Sequence, residues 1–303
     1  MPKVGIIIPA YNAAKYLPKA IESVIGQTFT DWQILLVNDG STDNTREVVA
    51  PYQVQLGPKL RYIEQMNRGL PAARNAAIRE SESELLALLD ADDIWLPCRL
   101  AESVKILDER PKAGIAYGLV THIDSEDHPT TTFQGNKSHA EGRIASQIYM
   151  RKVELPCPTV TFRRSCIEEA RGFDETMRAT EDRDLWLRIA VHHEVAFIPK
   201  VVALYRVSAQ SMSADPERML DAQLQFIRKN HGLPGCGLLP RQAAYARAYK
   251  QRAEALDRRN QPRDALWSAL QAVALYPVEL ANYRTAGSLL LKLLLRRSQR
   301  SGV

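Results

Sequence analysis

An α/β fold with a mostly parallel sheet flanked by helices, continued by an all-helical C-terminal extension, is predicted for this 303-residue chain. Three features predict it. Short apolar runs alternate with helix-length patterns through the first 120 residues, as in βαβ units whose strands are buried on both faces. Polar turns bearing acids follow those runs. Beyond about residue 214 the strand-like runs give way to Ala- and Arg-rich helical periodicity.

Taken in order, "VGIII" (4–8), "QILLV" (33–37), "RYI" (61–63), "LLALL" (85–89) and "GIAYGLV" (114–120) read as strands, with helices near 16–27, 44–51, 71–80 and 97–109. The polar stretch 121–145 reads as a long excursion from the sheet, a length of loop that usually carries function. "PTVTFRR", "EEARGFDE" and "EDRDLWLRIAVHH" resume the apolar pattern, and "VALYRVSAQSMS" closes a first domain placed at 1–213. The second, 214–303, holds helices near 215–230, 240–259, 262–275 and 279–297. Within it Tyr249, Ala253, Leu256, Ala265, Ala269, Ala272 and Pro277 match the spacing of one tetratricopeptide-like hairpin.

The composition, 45% hydrophobic and 25% charged, excludes disordered and collagen-like classes. Cys98, Cys157, Cys166 and Cys236 form neither a CxxC pair nor a zinc spacing, so reduced thiols in a cytoplasm are expected. The N-terminal apolar run reads as a strand rather than a signal peptide. No window of about 20 apolar residues is present. Residues 241–303 hold 12 Lys+Arg against 4 Asp+Glu, a net +8, which leaves −3 for residues 1–240. The basic tail suits anionic lipid, an acidic partner, nucleic acid, or simply a solvated face.

Ligands of parallel sheets sit beyond the carboxyl ends of the strands. "PAYN" (9–12), "NDGSTD" (38–43) and "DADD" (90–93) all stand there. Asp90, Asp92 and Asp93 would repel one another unless a cation sat among them. Hard oxygen ligands suit Mg²⁺ or Mn²⁺, with a substrate diphosphate completing the shell. The plainer reading, an Asp capping the helix that begins near Leu96, needs one Asp rather than three. Asp39, after a buried strand, accepts hydrogen bonds only and would select a base bearing a ring N–H. Tyr11 offers a ring for stacking on that base, and Pro9 and Ala10 offer backbone groups. Arg74 lies early in a helix, where the macrodipole disfavours a cation; an anionic ligand or a solvated head explains it equally. Glu181, Asp182 and Asp184 open an amphipathic helix, and spacing alone favours a capping role for them.

In order and spacing, "IIIPAYNAAKYLPKAIESVIGQT", "LLVNDGSTDNT", "NRGLPAARNAAI", "LLDADDIWLP" and "GFDETMRATEDRDLWLRI" resemble the family 2 glycosyltransferases of the GT-A fold, a Rossmann-like architecture, over about residues 3–213. The resemblance implies inverting, metal-assisted transfer of a sugar from a nucleotide diphosphate donor to a hydroxyl acceptor. It implies nucleotide contacts from Pro9, Ala10, Tyr11, Asn12, Asp39, Arg74, Asp90 and Ala91. Asp90 and Asp92 match the DxD motif, with Asp92 the direct metal ligand and Asp90 nearer the ribose, and Asp182 matches the general base. Uridine diphosphate is the first expectation for the carrier, with thymidine or guanosine diphosphate behind it. A glycan or lipid-linked glycan acceptor of bacterial cell-surface polysaccharide synthesis is implied, in the cytoplasm or on the inner membrane face. No nucleic acid partner is expected. One departure stands out: Ser208 occupies a position where many relatives carry a metal-reaching histidine, which implies weak affinity for free metal.

Two other classes compete. A non-catalytic nucleotide-sugar or glycan binder with a partner-recruiting helical tail would have no need of both Asp92 and Asp182. A metal-dependent phosphatase or nucleotidyltransferase would be expected to carry a glycine-rich phosphate loop, which is absent from the sequence. For the tail, "SLLLKLLLRRSQR" is expected either to rest on an anionic leaflet or to close the helical bundle.

Overall fold

The structure, a computed structural model, describes residues 1–130, 139–207 and 215–300, with side chains described as far as residue 295. It divides into two compact units, Met1–Ile144 with Val153–Ser208, and Ala145–Lys152 with Ala209–Val303.

The first unit is built on an eight-stranded sheet. Its strands are β1 (Val4–Ala10), β2 (Trp32–Asp39), β3 (Leu60–Gln65), β4 (Leu85–Leu88), β5 (Ile94–Trp95), β6 (Ala113–Ile123), β7 (Thr161–Arg163) and β8 (Glu194–Arg206), in the order β3-β2-β1-β4-β7-β6-β8-β5. β3, β2, β1 and β4 run parallel, β7 pairs antiparallel with β4 and β6, and β6 and β8 are parallel. Every residue of β1 is buried, as a central strand covered on both faces requires. Helices α1 (Leu17–Ile25), α2 (Thr45–Leu56), α3 (Leu70–Glu80) and α4 (Arg99–Glu109) alternate with the first strands, and α6 (Arg164–Glu169) and α7 (Glu181–Ala190) lie between β7 and β8. Leu17, Ala20, Ile21 and Val24 bury one face of α1 against Ile6, Ile8, Ile34 and Leu36.

The strand and helix assignments of the first half therefore hold to within a few residues. Three strands were not expected: β7, three residues long, and β5, two residues long, which find their places by pairing rather than by local pattern, and β8, of which only the end, "VALYR", stands out as an apolar run. The first part of the polar stretch, to Ile123, continues β6; its residues 131–138 lie outside the described ones.

β1 and β4 approach closely at Gly5, where an added Cβ would meet Ser81 Oγ at 2.5 Å and Leu86 Cδ2 at 3.0 Å. Gly5→Ala is accordingly expected to cost about 1–3 kcal/mol through overpacking, read as a lowered midpoint in denaturant unfolding.

The second unit comprises α5 (Ala145–Tyr149), α8 (Pro216–Asn230), α9 (Leu238–Arg258), α10 (Pro262–Leu275) and α11 (Leu280–Arg300). Asp215 caps α8 by accepting from the Glu217 and Arg218 amides. Ala253, Leu256, Ala265 and Ala269 pack in one cluster with Ala286 and Leu289. The small residues let α9 and α10 approach closely. Residues 145–152 belong to this unit, although nothing in their sequence separates them from their neighbours.

Candidate active site

Three loops at the carboxyl ends of β1, β2 and β3 are stitched together by side chains. Asn12 adopts the left-handed conformation at φ 51°, which asparagine tolerates better than most residues. Its amide N–H donates to Ser41 Oγ, and its Oδ1 accepts from the Thr42 amide at 2.8 Å. Gly40, at φ +72°, lies so close to Asn67 that a Cβ would sit 2.7 Å from its amide nitrogen. Asp39 is buried; Oδ1 accepts from Gln65 Nε2 and the Arg68 amide, and Oδ2 from the Gly69 amide at 2.8 Å. Asp39 thus fixes the loop that opens α3, a task its position did not reveal, and Oδ2 keeps acceptor capacity beyond that one bond. Tyr11, 54% exposed, presents its ring to solvent beside this platform, while Pro9 and Ala10 are buried in β1.

The acidic turn follows β4. Asp93 N–H bonds back to the Asp90 carbonyl, closing the turn through Ala91 and Asp92. None of the three aspartates caps the next helix: α4 begins at Arg99, behind Cys98, without a side-chain cap. Asp92 reaches solvent, but dense protein around it and the neighbouring Asp90 push its carboxyl up to about 6. Asp93 is buried, and burial with Asp92 and Asp90 beside it raises its carboxyl well above the usual range. Its Oδ1 accepts from the Arg206 amide, and its Oδ2 has no partner among the described residues.

Arg74 is the hub. The solvated-head reading is overturned: the side chain is 2% exposed. Nη1 donates to Glu181 Oε1 at 2.9 Å, and Nη2 donates to Asp90 Oδ1 at 2.7 Å and to Cys157 Sγ at 3.2 Å. Its guanidinium also lies over the Phe173 ring, 5.3 Å from the centroid. Asn75, the next residue of α3, holds Phe173 by donating to its carbonyl and accepting from its amide. These partners account for a cation in the first half of a helix.

Glu181 and Asp182 open α7 (Glu181–Ala190), whose preceding residue Thr180 sits at φ 63°. The capping expectation fails for Glu181, which is buried against Arg74. Burial, Asp182 and Asp90 raise its carboxyl, Arg74 opposes them, and the outcome is about 7. Asp182 is half-buried, accepts from the Arg183 amide at 2.6 Å, and acts electrostatically on Arg74, Cys157 and Tyr205. A second buried guanidinium, Arg206, donates from Nε to the Asp92 carbonyl, pairs with Asp127 and lies over Tyr16.

Five carboxyls, of Asp90, Asp92, Asp93, Glu181 and Asp182, therefore converge with two arginines. This excess of acid is a place for a cation. Among the described residues no three His, Cys, Asp or Glu are arranged as a ready-made metal cage. A hard ion can take one or two carboxylates here and fill its remaining positions with diphosphate oxygens and water, so the residues present fit Mg²⁺ or Mn²⁺. Ser208 lies outside the described residues.

Residues 5–169 match the family model described as glycosyl transferase family 2. An uncharacterized glycosyltransferase of Nostoc is 41% identical over 243 residues, covering 75% of this chain and 74% of its own. The backbone is similar to a mannosyltransferase of Pyrobaculum calidifontis solved with GDP-Man and Mn²⁺, with a TM-score of 0.67 at 21% identity over 96% of this chain and 81% of that one. It is also similar to S. aureus TarS 1–349 in complex with UDP, with a TM-score of 0.64 at 18% identity over 99% and 92% of the two chains.

Proposed function

Since the chain belongs to glycosyl transferase family 2, a glycosyltransferase with a GT-A-like fold, we propose that it moves a sugar from a nucleoside diphosphate donor, uridine diphosphate first, to a hydroxyl of a glycan or lipid-linked glycan with inversion. The observation that carries this reading is the convergence of the Asp90–Asp93 turn and the Glu181–Asp182 helix start on buried Arg74. It joins what would bind the leaving diphosphate to what would activate the acceptor.

Tyr11 and the Asn12–Asp39 platform receive the nucleoside, with Pro9, Ala10 and Ala91 lending backbone. Asp90 meets the ribose, and Arg74 acts on the donor through Asp90 rather than by touching the base. Asp92, with Asp90 beside it, would hold the divalent ion, which when bound supplies Lewis-acid relief to the departing diphosphate. Asp182 takes the acceptor hydroxyl's proton as the new C–O bond forms opposite the breaking one, and the bonding pair leaves with the diphosphate. The acceptor belongs by this reading to bacterial cell-surface polysaccharide synthesis, with the chain on the cytoplasmic side.

Calorimetry with nucleoside diphosphates, each with and without Mn²⁺, tests the donor site. We expect UDP and Mn²⁺ to bind together far more tightly than either alone. Asp92, at about 6, is protonated below that value and must lose its proton to ligate, so joint affinity should rise by up to about tenfold per pH unit toward pH 6 and flatten above it. Tight Mn²⁺ binding without nucleotide, or no nucleotide binding by folded protein, would count against the reading.

A further inference from the structure

Helix α11 carries two apolar faces where packing needs one. Ala286 and Leu289 are buried in the cluster with Ala253, Leu256, Ala265 and Ala269. Elsewhere on the same helix Leu280, Tyr283, Leu290, Leu291, Leu294 and Leu295 remain 47–72% exposed. At about 100° per residue, positions 283, 287, 290, 291 and 294 fall on one stripe, and the buried 282, 286 and 289 on a second, centred about 120° further round the helix. A continuous apolar stripe of this kind marks an interaction surface.

Charge indicates what covers it. The helix contains no Asp or Glu, and carries Arg284, Lys292, Arg296, Arg297 and Arg300. Lys292 already pairs with Asp257 of α9, whereas the surrounding residues 241–303 keep a net +8. A second copy docked through the stripe would bring two cationic helices together with no acid on either to offset them. No helix among the described residues is long and apolar enough to cross a membrane. A stripe of leucine on a helix whose charges are all positive has the chemistry of an interfacial helix on anionic lipid.

We propose that α11 docks on an anionic bilayer surface, its Leu290–Leu291–Leu294 stripe entering the boundary between headgroups and acyl chains. This surface is independent of the transferase reading and stands or falls separately from the donor site.

The test is flotation of the full chain with vesicles of phosphatidylcholine alone and with about one third phosphatidylglycerol, enough to attract a polybasic segment. Binding to the anionic vesicles should exceed that to the neutral ones by about tenfold or more and weaken as salt rises. The triple variant Leu290→Gln, Leu291→Gln, Leu294→Gln changes exposed positions only, and should keep the thermal midpoint while losing at least about tenfold in vesicle binding. No binding to anionic vesicles, equal binding to both compositions, or undiminished binding of the folded triple variant would overturn the proposal. So would a concentration-dependent dimer in sedimentation that the triple variant abolishes, which assigns the stripe to a second copy.

Discussion

Asp182→Asn is expected to lower turnover by about 10²–10⁴-fold, the contribution of a positioned general base, while nucleoside diphosphate binding stays within about twofold. The amide keeps the shape of the carboxylate, and its oxygen can still accept from the Arg183 amide, as Asp182 does now. It cannot take a proton from an incoming hydroxyl. Asp182 stands outside the Arg74 clamp, whose direct partners are Glu181, Asp90 and Cys157, so the thermal midpoint should barely move. Slow hydrolysis of the donor by water needs the same base, so it provides a readout before the acceptor is identified. Unchanged turnover in this variant would remove Asp182 from the base role, and donor binding without any turnover in the wild type would favour a non-catalytic binder.

The same contrast explains which parts of the site could be read in advance. Asp90, Asp92 and Asp93 were legible because three carboxyls crowd the turn that ends a buried strand, and crowding so costly asks for a purpose. Glu181 was not, because an acid at a helix start is adequately explained by the macrodipole; only its partner, 107 residues away in Arg74, distinguishes burial from capping. At Asp39 a second task stayed hidden. Its carboxylate looked free to receive a base, yet its oxygens also hold the Gln65 side chain and two loop amides. Strands with an unbroken apolar run, such as β1 and β2, and long helices announce themselves through period and run length, whereas the 13-residue β8, interrupted by Pro199 and Lys200, does not. β7, three residues, and the segment 145–152, which joins the helical unit, take their places from tertiary pairing that no local pattern encodes.

Arg74→Met should produce the larger loss of stability. The substitution leaves Glu181 buried without its cation and releases Asp90, and breaking such a buried pair costs about 3–5 kcal/mol, or roughly 10 °C in thermal midpoint for a unit of this size. Adding Glu181→Gln should recover part of that loss, because the amide removes the more deeply buried of the two uncompensated charges, whereas Asp90 already reaches solvent. Arg74→Lys separates the two roles open to this residue. An ammonium is a point donor and cannot span both carboxylates as the guanidinium fork does, so an internal strut predicts an intermediate midpoint with donor affinity falling in step. A residue that touches the nucleotide directly predicts weakened donor binding with the midpoint intact. Thermal unfolding and UDP–Mn²⁺ calorimetry on the same three variants decide between them. The strut predicts that the two readouts move together, because Arg74 joins the turn bearing Asp90 to Glu181 at the helix start, and loosening that link unsettles the turn and the fold at once.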